Sequence, residues 1–260
     1  MNPASSLVDV THDAYGVAGV VRLTLNRPDA FNALSEALID ALQAQLADIA
    51  KSDARVVVIA AAGRAFCAGH DLKEMRAEPS LDYYKALFAR CSKMMLAIQK
   101  LPQPVIARVQ GVATAAGCQL VAMCDLAVAA DSARFAVSGI NLGLFCSTPA
   151  VPLTRNVSRK AAFEMLMTGD FIDAMTAQRE GLVNRVVPAE ELDHAVSALA
   201  ASICAKPREA VEAGKGLFYR QLEMGIEAAY QLAGQTMACN MMTEPALDGV
   251  QAFIDKRGSK

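Results

Sequence analysis

Small residues crowd around a histidine in Gly63-Arg-Ala-Phe-Cys-Ala-Gly-His-Asp-Leu72, and a second stretch, Gly111-Val-Ala-Thr-Ala-Ala-Gly-Cys-Gln-Leu120, has the same character. Each follows a continuous apolar run that reads as a buried strand, Arg55–Ala60 before the first and Pro104–Val109 before the second. Small side chains let a ligand approach the main chain, and a helix start presents N–H groups that have no intrahelical partner. Two such turns side by side would aim two N–H donors at one oxygen, which is an oxyanion hole. Composition alone favours the plainer alternative of two ordinary tight strand-to-helix turns.

The surrounding elements decide whether the turns can meet. Val20–Leu25 alternates as a strand, with Val21, Leu23 and Leu25 on one face. Ser35 can cap a helix that sets Leu38, Leu42, Leu46 and Ile49 in one stripe. A loop over Ala61–Asp71 precedes a helix over about Leu81–Gln99, and the Gly111–Gly117 loop opens a helix before a strand at Leu126–Ala130. Strand–helix alternation of this kind indicates an α/β core with parallel pairing. Beyond Ser158 one strand, Leu182–Val187, lies among helices at about Arg159–Thr168, Ala189–Ala205, Pro207–Gln221, Met224–Met242 and Pro245–Lys256, with Gly169 ending the first. The division expected is a core over residues 1–200 and a helical region over 201–260.

The 260 residues are 53% apolar and 20% charged, which excludes disorder, and a chain of this length buries a core without disulfide or metal. Lys plus Arg is 25 against 27 Asp plus Glu, with no basic block beyond Lys256, Arg257 and Lys260, so no nucleic-acid partner is expected. The histidines His12, His70 and His194 lack metal-ligand spacing, and no metal is expected. Seven cysteines without Cys-x-x-Cys spacing, and an N-terminus without a secretory pattern, predict free thiols in the cytosol. Gly111–Ala130 is apolar enough to raise a membrane span, but Asp125 and its glycines favour a buried helix and strand.

Phe66-Cys-Ala-Gly-His-Asp-Leu-Lys-Glu-Met75 followed by Gly111…Gly117-Cys-Gln-Leu120 resembles the enoyl-CoA hydratase/isomerase (crotonase) superfamily. Asn26-Arg27-Pro28…Asn32-Ala33-Leu34, Cys124-Asp125-Leu126, Thr176-Ala-Gln…Gly181-Leu-Val-Asn and Phe253…Lys256-Arg257 extend the likeness over essentially the whole chain. Ala115-Ala-Gly-Cys-Gln-Leu120 and Gly143-Leu-Phe-Cys-Ser-Thr-Pro149 are similar to the branch of enoyl-CoA hydratase domain-containing proteins numbered three. The resemblance implies a crotonase-like spiral of ββα units with a C-terminal helical trimerisation region, assembled as a homotrimer or a dimer of trimers. It implies an acyl-CoA thioester as ligand, with coenzyme A as part of the substrate and no separate cofactor. The oxyanion donors would be the backbone N–H groups of His70 and Ala116. Ala68, Gly69, Asp71 and Leu72 match the loop that wraps CoA, Phe253 and Lys256 match the terminal helix that reaches it, and Arg27 matches an early basic contact.

The catalytic acids of the family do not carry over. Its two glutamate positions fall on Gln119 and Gly139, and the acid of some isomerase branches falls on Asn141. An amide cannot take a proton from water near neutrality. The resemblance therefore implies enolate stabilisation with doubtful hydration, or else a malonyl-type decarboxylase with His70 as proton donor, a thioesterase, or a non-catalytic acyl-CoA binder. Ser138, Asn141 and Cys146 are candidates to line the acyl pocket or hold a water, and Tyr83 and Tyr84 either cover the acyl chain or pack in the core. Cys67 and Cys118 read as packed small hydrophobes.

Overall fold

The apolar run at Val56–Ala61 is a central strand of a six-stranded sheet in the computed structural model, which describes residues 6–258. The N-terminal residues read above for a secretory pattern, Lys260 and the side chain of Arg257 lie outside the described residues. The chain runs β1 (Val8–Thr11), β2 (Val20–Leu25), α1 (Glu36–Ile49), β3 (Val56–Ala61), β4 (Ala65–Cys67), α2 (Leu72–Ala77) and α3 (Leu81–Lys100). It continues through β5 (Val105–Val109), β6 (Val112–Thr114), α4 (Ala116–Met123), β7 (Leu126–Ala130), β8 (Arg134–Ala136), α5 (Ser147–Asn156) and α6 (Arg159–Thr168). Then follow β9 (Ile172–Asp173), α7 (Ala174–Arg179), β10 (Arg185–Val187), α8 (Leu192–Cys204), α9 (Arg208–Leu222), α10 (Ile226–Met241) and α11 (Glu244–Gly258).

The larger sheet has the order β1-β2-β3-β5-β7-β10, and the smaller has β4-β6-β8-β9. All neighbours are parallel except β1 with β2 and β8 with β9. Each pass of the chain adds a strand to the larger sheet, a short strand to the smaller, and then a helix. The units are β3–β4 with α2 and α3, β5–β6 with α4, and β7–β8 with α5. That winding is the spiral of ββα units expected.

Burial on both faces explains why β3 is apolar throughout. Val57 and Ile59 face a core with Leu38 and Leu42 of α1 and Met94 and Met95 of α3, whereas Val56 and Val58 face Leu192, Val196 and Ala200 of α8. Ser35 caps α1 as expected, its Oγ accepting the Leu38 N–H at 3.2 Å, and Gly169 ends α6 at φ 69°. The run from Gly111 to Ala130 divides into β6, α4 and β7. Among the described residues no helix is long and apolar enough to cross a membrane.

Some elements lie where loops were expected. β4 and α2 fall in and just after the Ala61–Asp71 loop, β6 falls in the Gly111–Gly117 loop, and α5 forms although Pro149 and Pro152 lie within it. The strand expected over Leu182–Val187 is confined to Arg185–Val187. Residue 200 falls inside α8, which packs on the large sheet. The helices beyond it expose Phe218, Leu222, Ile226, Tyr230 and Met237.

Candidate active site

The smaller sheet brings the two loops together. β4, β6 and β8 lie side by side and parallel, pairing Cys67 with Ala113 and Thr114 with Ala136. They therefore end at the same edge, where β4 runs on into Ala68–Asp71, β6 into Ala115 and Ala116, and β8 into Val137–Gly139. Ligands of parallel α/β sheets bind beyond such carboxyl ends.

Glycine lets the backbones touch. A β-carbon on Gly117 would lie 2.1 Å from the Cys67 carbonyl oxygen, and one on Gly111 would lie 2.0 Å from that of Arg64. Gly69, at φ 96°, has room for no side chain either, since its β-carbon would meet that of Ala115 at 2.9 Å and the Ala116 nitrogen at 3.4 Å. The peptides that carry the His70 and Ala116 N–H groups are thus neighbours.

Hydrogen bonds on either side orient both. Leu34 bridges His70 in parallel fashion: its N–H donates to the Gly69 carbonyl at 2.7 Å, and its carbonyl accepts the Asp71 N–H at 3.2 Å. This pattern turns the His70 N–H away from Leu34. Ala116 is the first residue of α4, with a free N–H. The preceding Ala115 sits at φ 50°, ψ −119°, a conformation natural to glycine, which costs a non-glycine residue about 1–3 kcal/mol. Among the described residues neither N–H has a hydrogen-bond partner.

Both residues line a cavity of about 320 Å³, with Ala68, Leu72 and Gly139 from the expected set. Met75, Phe88, Leu142, Leu144 and Phe145 make much of the rest apolar, and among the described residues no Asp or Glu lines it. Phe88 was legible as a residue within the helix expected over about Leu81–Gln99. Tyr84 backs the wall instead of lining it, stacked on Phe88 at 6.4 Å with its hydroxyl on the Met75 carbonyl at 3.0 Å.

Gln119, three residues beyond Ala116 on α4, does not line the cavity; it is 4% exposed, and its Oε1 is buried without a partner. Asn141 points elsewhere, its Nδ2 donating to the Gly169 carbonyl at 3.5 Å. Phe253 and Lys256 lie on α11 and are not among the lining residues, and Arg27 pairs with Asp71 at 3.0 Å. Gly139 is at the cavity, but the space its side chain would take is filled. A β-carbon there would lie 2.5 Å from the Leu144 carbonyl oxygen and 2.8 Å from Cys146 Sγ, which also accepts the Gly139 N–H at 3.3 Å. Gly139→Glu is expected to cost about 1–3 kcal/mol through overpacking and to leave crotonyl-CoA unhydrated, as urea unfolding and a hydration assay would read.

His70, Ser138, Ser147 and Thr148 are polar side chains of the cavity with hydrogen-bonding capacity left. Ser138 Oγ shares a hydrogen bond with Thr114 Oγ1 at 2.8 Å, so this pair has one proton to spare. The His70 ring packs edge-on to Phe88 at 5.5 Å, and both its nitrogens are buried without partners. Burial holds the imidazole below its ordinary pKa, opposed by the nearby Leu34 carbonyl. The unfolded chain then binds a proton that the folded chain refuses, so stability falls as pH drops below about 6.5 toward the lowered value. Melting temperatures between pH 7.5 and 5 are expected to show this fall, and His70→Gln is expected to flatten it. Burial also pushes the Cys67 and Cys118 thiols up to about 12, which makes them packing residues and poor nucleophiles.

Paired sheets wound as ββα units match the solved structure of a Legionella pneumophila protein described as a putative enoyl-CoA hydratase/isomerase (crotonase), 28% identical at a TM-score of 0.87 and covering 97% of this chain and 98% of that one. The chain belongs to the enoyl-CoA hydratase/isomerase family, whose model matches residues 16–260. A Mycobacterium smegmatis crystal structure described as an enoyl-CoA hydratase is 64% identical, with a TM-score of 0.94 and 96% of each chain covered. The structure of human enoyl-CoA hydratase domain-containing protein 3 is 43% identical at a TM-score of 0.92, covering 96% of this chain and 98% of that one. The Xenopus laevis protein of the same name is 47% identical over 92% of this chain and 82% of its own length.

These relatives correct the expectation of a cytosolic location. The frog, rat, mouse, human and zebrafish proteins are all named as mitochondrial. Free thiols do not distinguish that compartment from the cytosol.

Proposed function

We propose that this protein is an acyl-CoA enzyme that holds a thioester carbonyl between the His70 and Ala116 N–H groups and stabilises the enolate that develops there, without acting as an efficient hydratase. The cavity that carries this reading has two unpartnered backbone donors and no carboxylate. Donors of this kind stabilise oxyanion charge by about 3–4 kcal/mol each, whereas losing an acid–base group costs about 10²–10⁴-fold. Ala68, Gly69 and Leu72 contact the CoA moiety, and the apolar wall of Phe88, Leu144 and Phe145 takes the acyl chain. Phe253 and Lys256 of α11 reach CoA in a homotrimer or a dimer of trimers, whose contacts use the apolar side chains exposed on α9–α11.

The unpartnered His70 ring favours a second reading, decarboxylation of a malonyl-type thioester. Loss of CO₂ produces the enolate without a base, and the oxyanion hole together with a proton donor suffices. Mass spectrometry of the protein with crotonyl-, 3-enoyl-, malonyl-, methylmalonyl- and acetyl-CoA distinguishes these readings. A gain of one water at ordinary enzyme turnover refutes the first. Loss of CO₂ that disappears in His70→Ala supports the second. Deuterium uptake into the acyl group in D2O without other mass change supports the first reading, release of free CoA identifies a thioesterase, and CoA binding with neither turnover nor deuterium uptake identifies a non-catalytic binder.

A further inference from the structure

We infer that Arg27 and Asp71 form a clamp that positions the His70 N–H, and that Arg27 is a positioning residue instead of a contact to the phosphates of CoA. The inference rests on the oxyanion-hole reading above. The two arms of the Arg27 guanidinium straddle the Leu34–His70 bridge. Nη1 donates to the carbonyl of Ala33, the residue before Leu34, at 2.6 Å; Nη2 donates to Oδ2 of Asp71, the residue after His70, at 3.0 Å. One rigid fork thereby fixes both strands of the bridge that sets the direction of the His70 peptide.

Both ends of the fork are themselves held. The Arg27 N–H donates to Asn32 Oδ1 at 2.9 Å, and the Asn32 N–H returns to the Arg27 carbonyl at 2.9 Å. The Asn32 side chain, fully buried, donates to the Ala62 and Ala65 carbonyls at 2.8 and 2.9 Å, tying this strap to β3 and β4. Asp71 Oδ1 accepts the Lys73 and Glu74 N–H groups at 3.0 and 3.4 Å, so the same carboxylate caps α2. Phe31 and Asn32 hold left-handed φ values of 50° and 53°, the tight reversal that brings Ala33 and Leu34 back against the loop. With its fork engaged, an aspartate in contact and 23% side-chain exposure, Arg27 is poorly placed to receive a phosphate. The motif Asn26-Arg-Pro…Asn32-Ala-Leu34 is accounted for as this strap.

The test uses the full-length protein and 4-dimethylaminocinnamoyl-CoA, a push–pull thioester whose absorption moves to longer wavelength when its carbonyl is polarised by hydrogen bonds. The spectrum at saturation is compared with the affinity for CoA alone, measured calorimetrically. Arg27→Met and Asp71→Asn are expected to lose most of the wild-type red shift while CoA affinity is retained. Arg27→Lys is expected to recover only part of it, because one ammonium cannot reproduce the two arms of the fork. Asp71→Asn keeps the shape of the α2 cap and carries the test should Arg27→Met fail to fold. About tenfold weaker CoA binding by Arg27→Met with the shift of the bound ligand unchanged would make Arg27 a phosphate contact and overturn the clamp. Unchanged shift and unchanged affinity would overturn it as well. Wild-type protein that binds the thioester without any red shift would refute the oxyanion hole itself, a separate failure that removes the basis of the clamp.

Discussion

Gly117→Ala is expected to disable the site without altering any group that touches the substrate. The added methyl would sit 2.1 Å from the Cys67 carbonyl oxygen and 2.8 Å from its Cβ, contacts that only movement of the β4 or β6 exit can relieve. Cys67 is a fully buried strand residue and Gly117 is the second residue of α4, so the strain separates the loops that carry His70 and Ala116. A displacement of about 1 Å at a reacting centre can cost about 10²-fold in rate. Overpacking of this kind also costs about 1–3 kcal/mol of stability. The variant is therefore expected to fold with a lowered melting temperature and to lose both the red shift of a chromophoric thioester and about two orders of magnitude of any enolate-dependent turnover. Full retention of both would mean that the close loop approach has no bearing on the donors.

The second large effect lies far from the cavity. Lys215 of α9 has 6% side-chain exposure, and its Nζ donates to Asp125 Oδ2 at 2.6 Å and to the Gln103 and Ile98 carbonyls at 2.9 and 3.1 Å. Asp125 also accepts the Val105 N–H and the Tyr219 hydroxyl, each at 2.6 Å. One buried network thus docks α9 against the end of α3 and the starts of β5 and β7. Burial lowers the Lys215 pKa, and the Asp125 charge opposes this. Lys215→Met would leave a buried carboxylate and two carbonyls without their cation. Breaking one side of a buried pair costs about 3–5 kcal/mol, or roughly 10 °C in Tm for a chain of this size. Calorimetry should show that loss, with α9–α11 exchanging backbone hydrogens faster than the spiral core. A Tm unchanged within error would mean that the network contributes nothing to the docking of α9.

The sequence made the small-residue loops, the Ser35 cap and the buried strand at β3 legible because each has a local signature. Asp125 was legible as a charge that argues against a membrane span, and its partners Lys215 and Tyr219 are distant in sequence and gave no sign of joining it. The short strands β4, β6 and β8 have no room to display a period, and they exist because they pair with one another; without them the meeting of the two loops was only one option. α5 was not anticipated, and Pro149 and Pro152, which lie within it, are both buried. Gln119 and Asn141 were expected at acid positions of the family from the resemblance, yet their side chains settle outside the cavity. The filled space beside Gly139 depends on Leu144 and Cys146 folding back upon it, which spacing alone does not reveal.

The most direct test of the central claim is the carbon-13 chemical shift of a carbonyl-labelled, non-reactive acyl-CoA bound to the protein. Two backbone donors at His70 and Ala116 are expected to move the thioester carbonyl resonance downfield on binding, and Ala116→Pro, which removes one donor and places ring carbon in the hole, is expected to return it toward the free value. A bound thioester with the carbonyl shift of the free ligand would contradict the account: the loops would then be tight turns and no oxyanion hole.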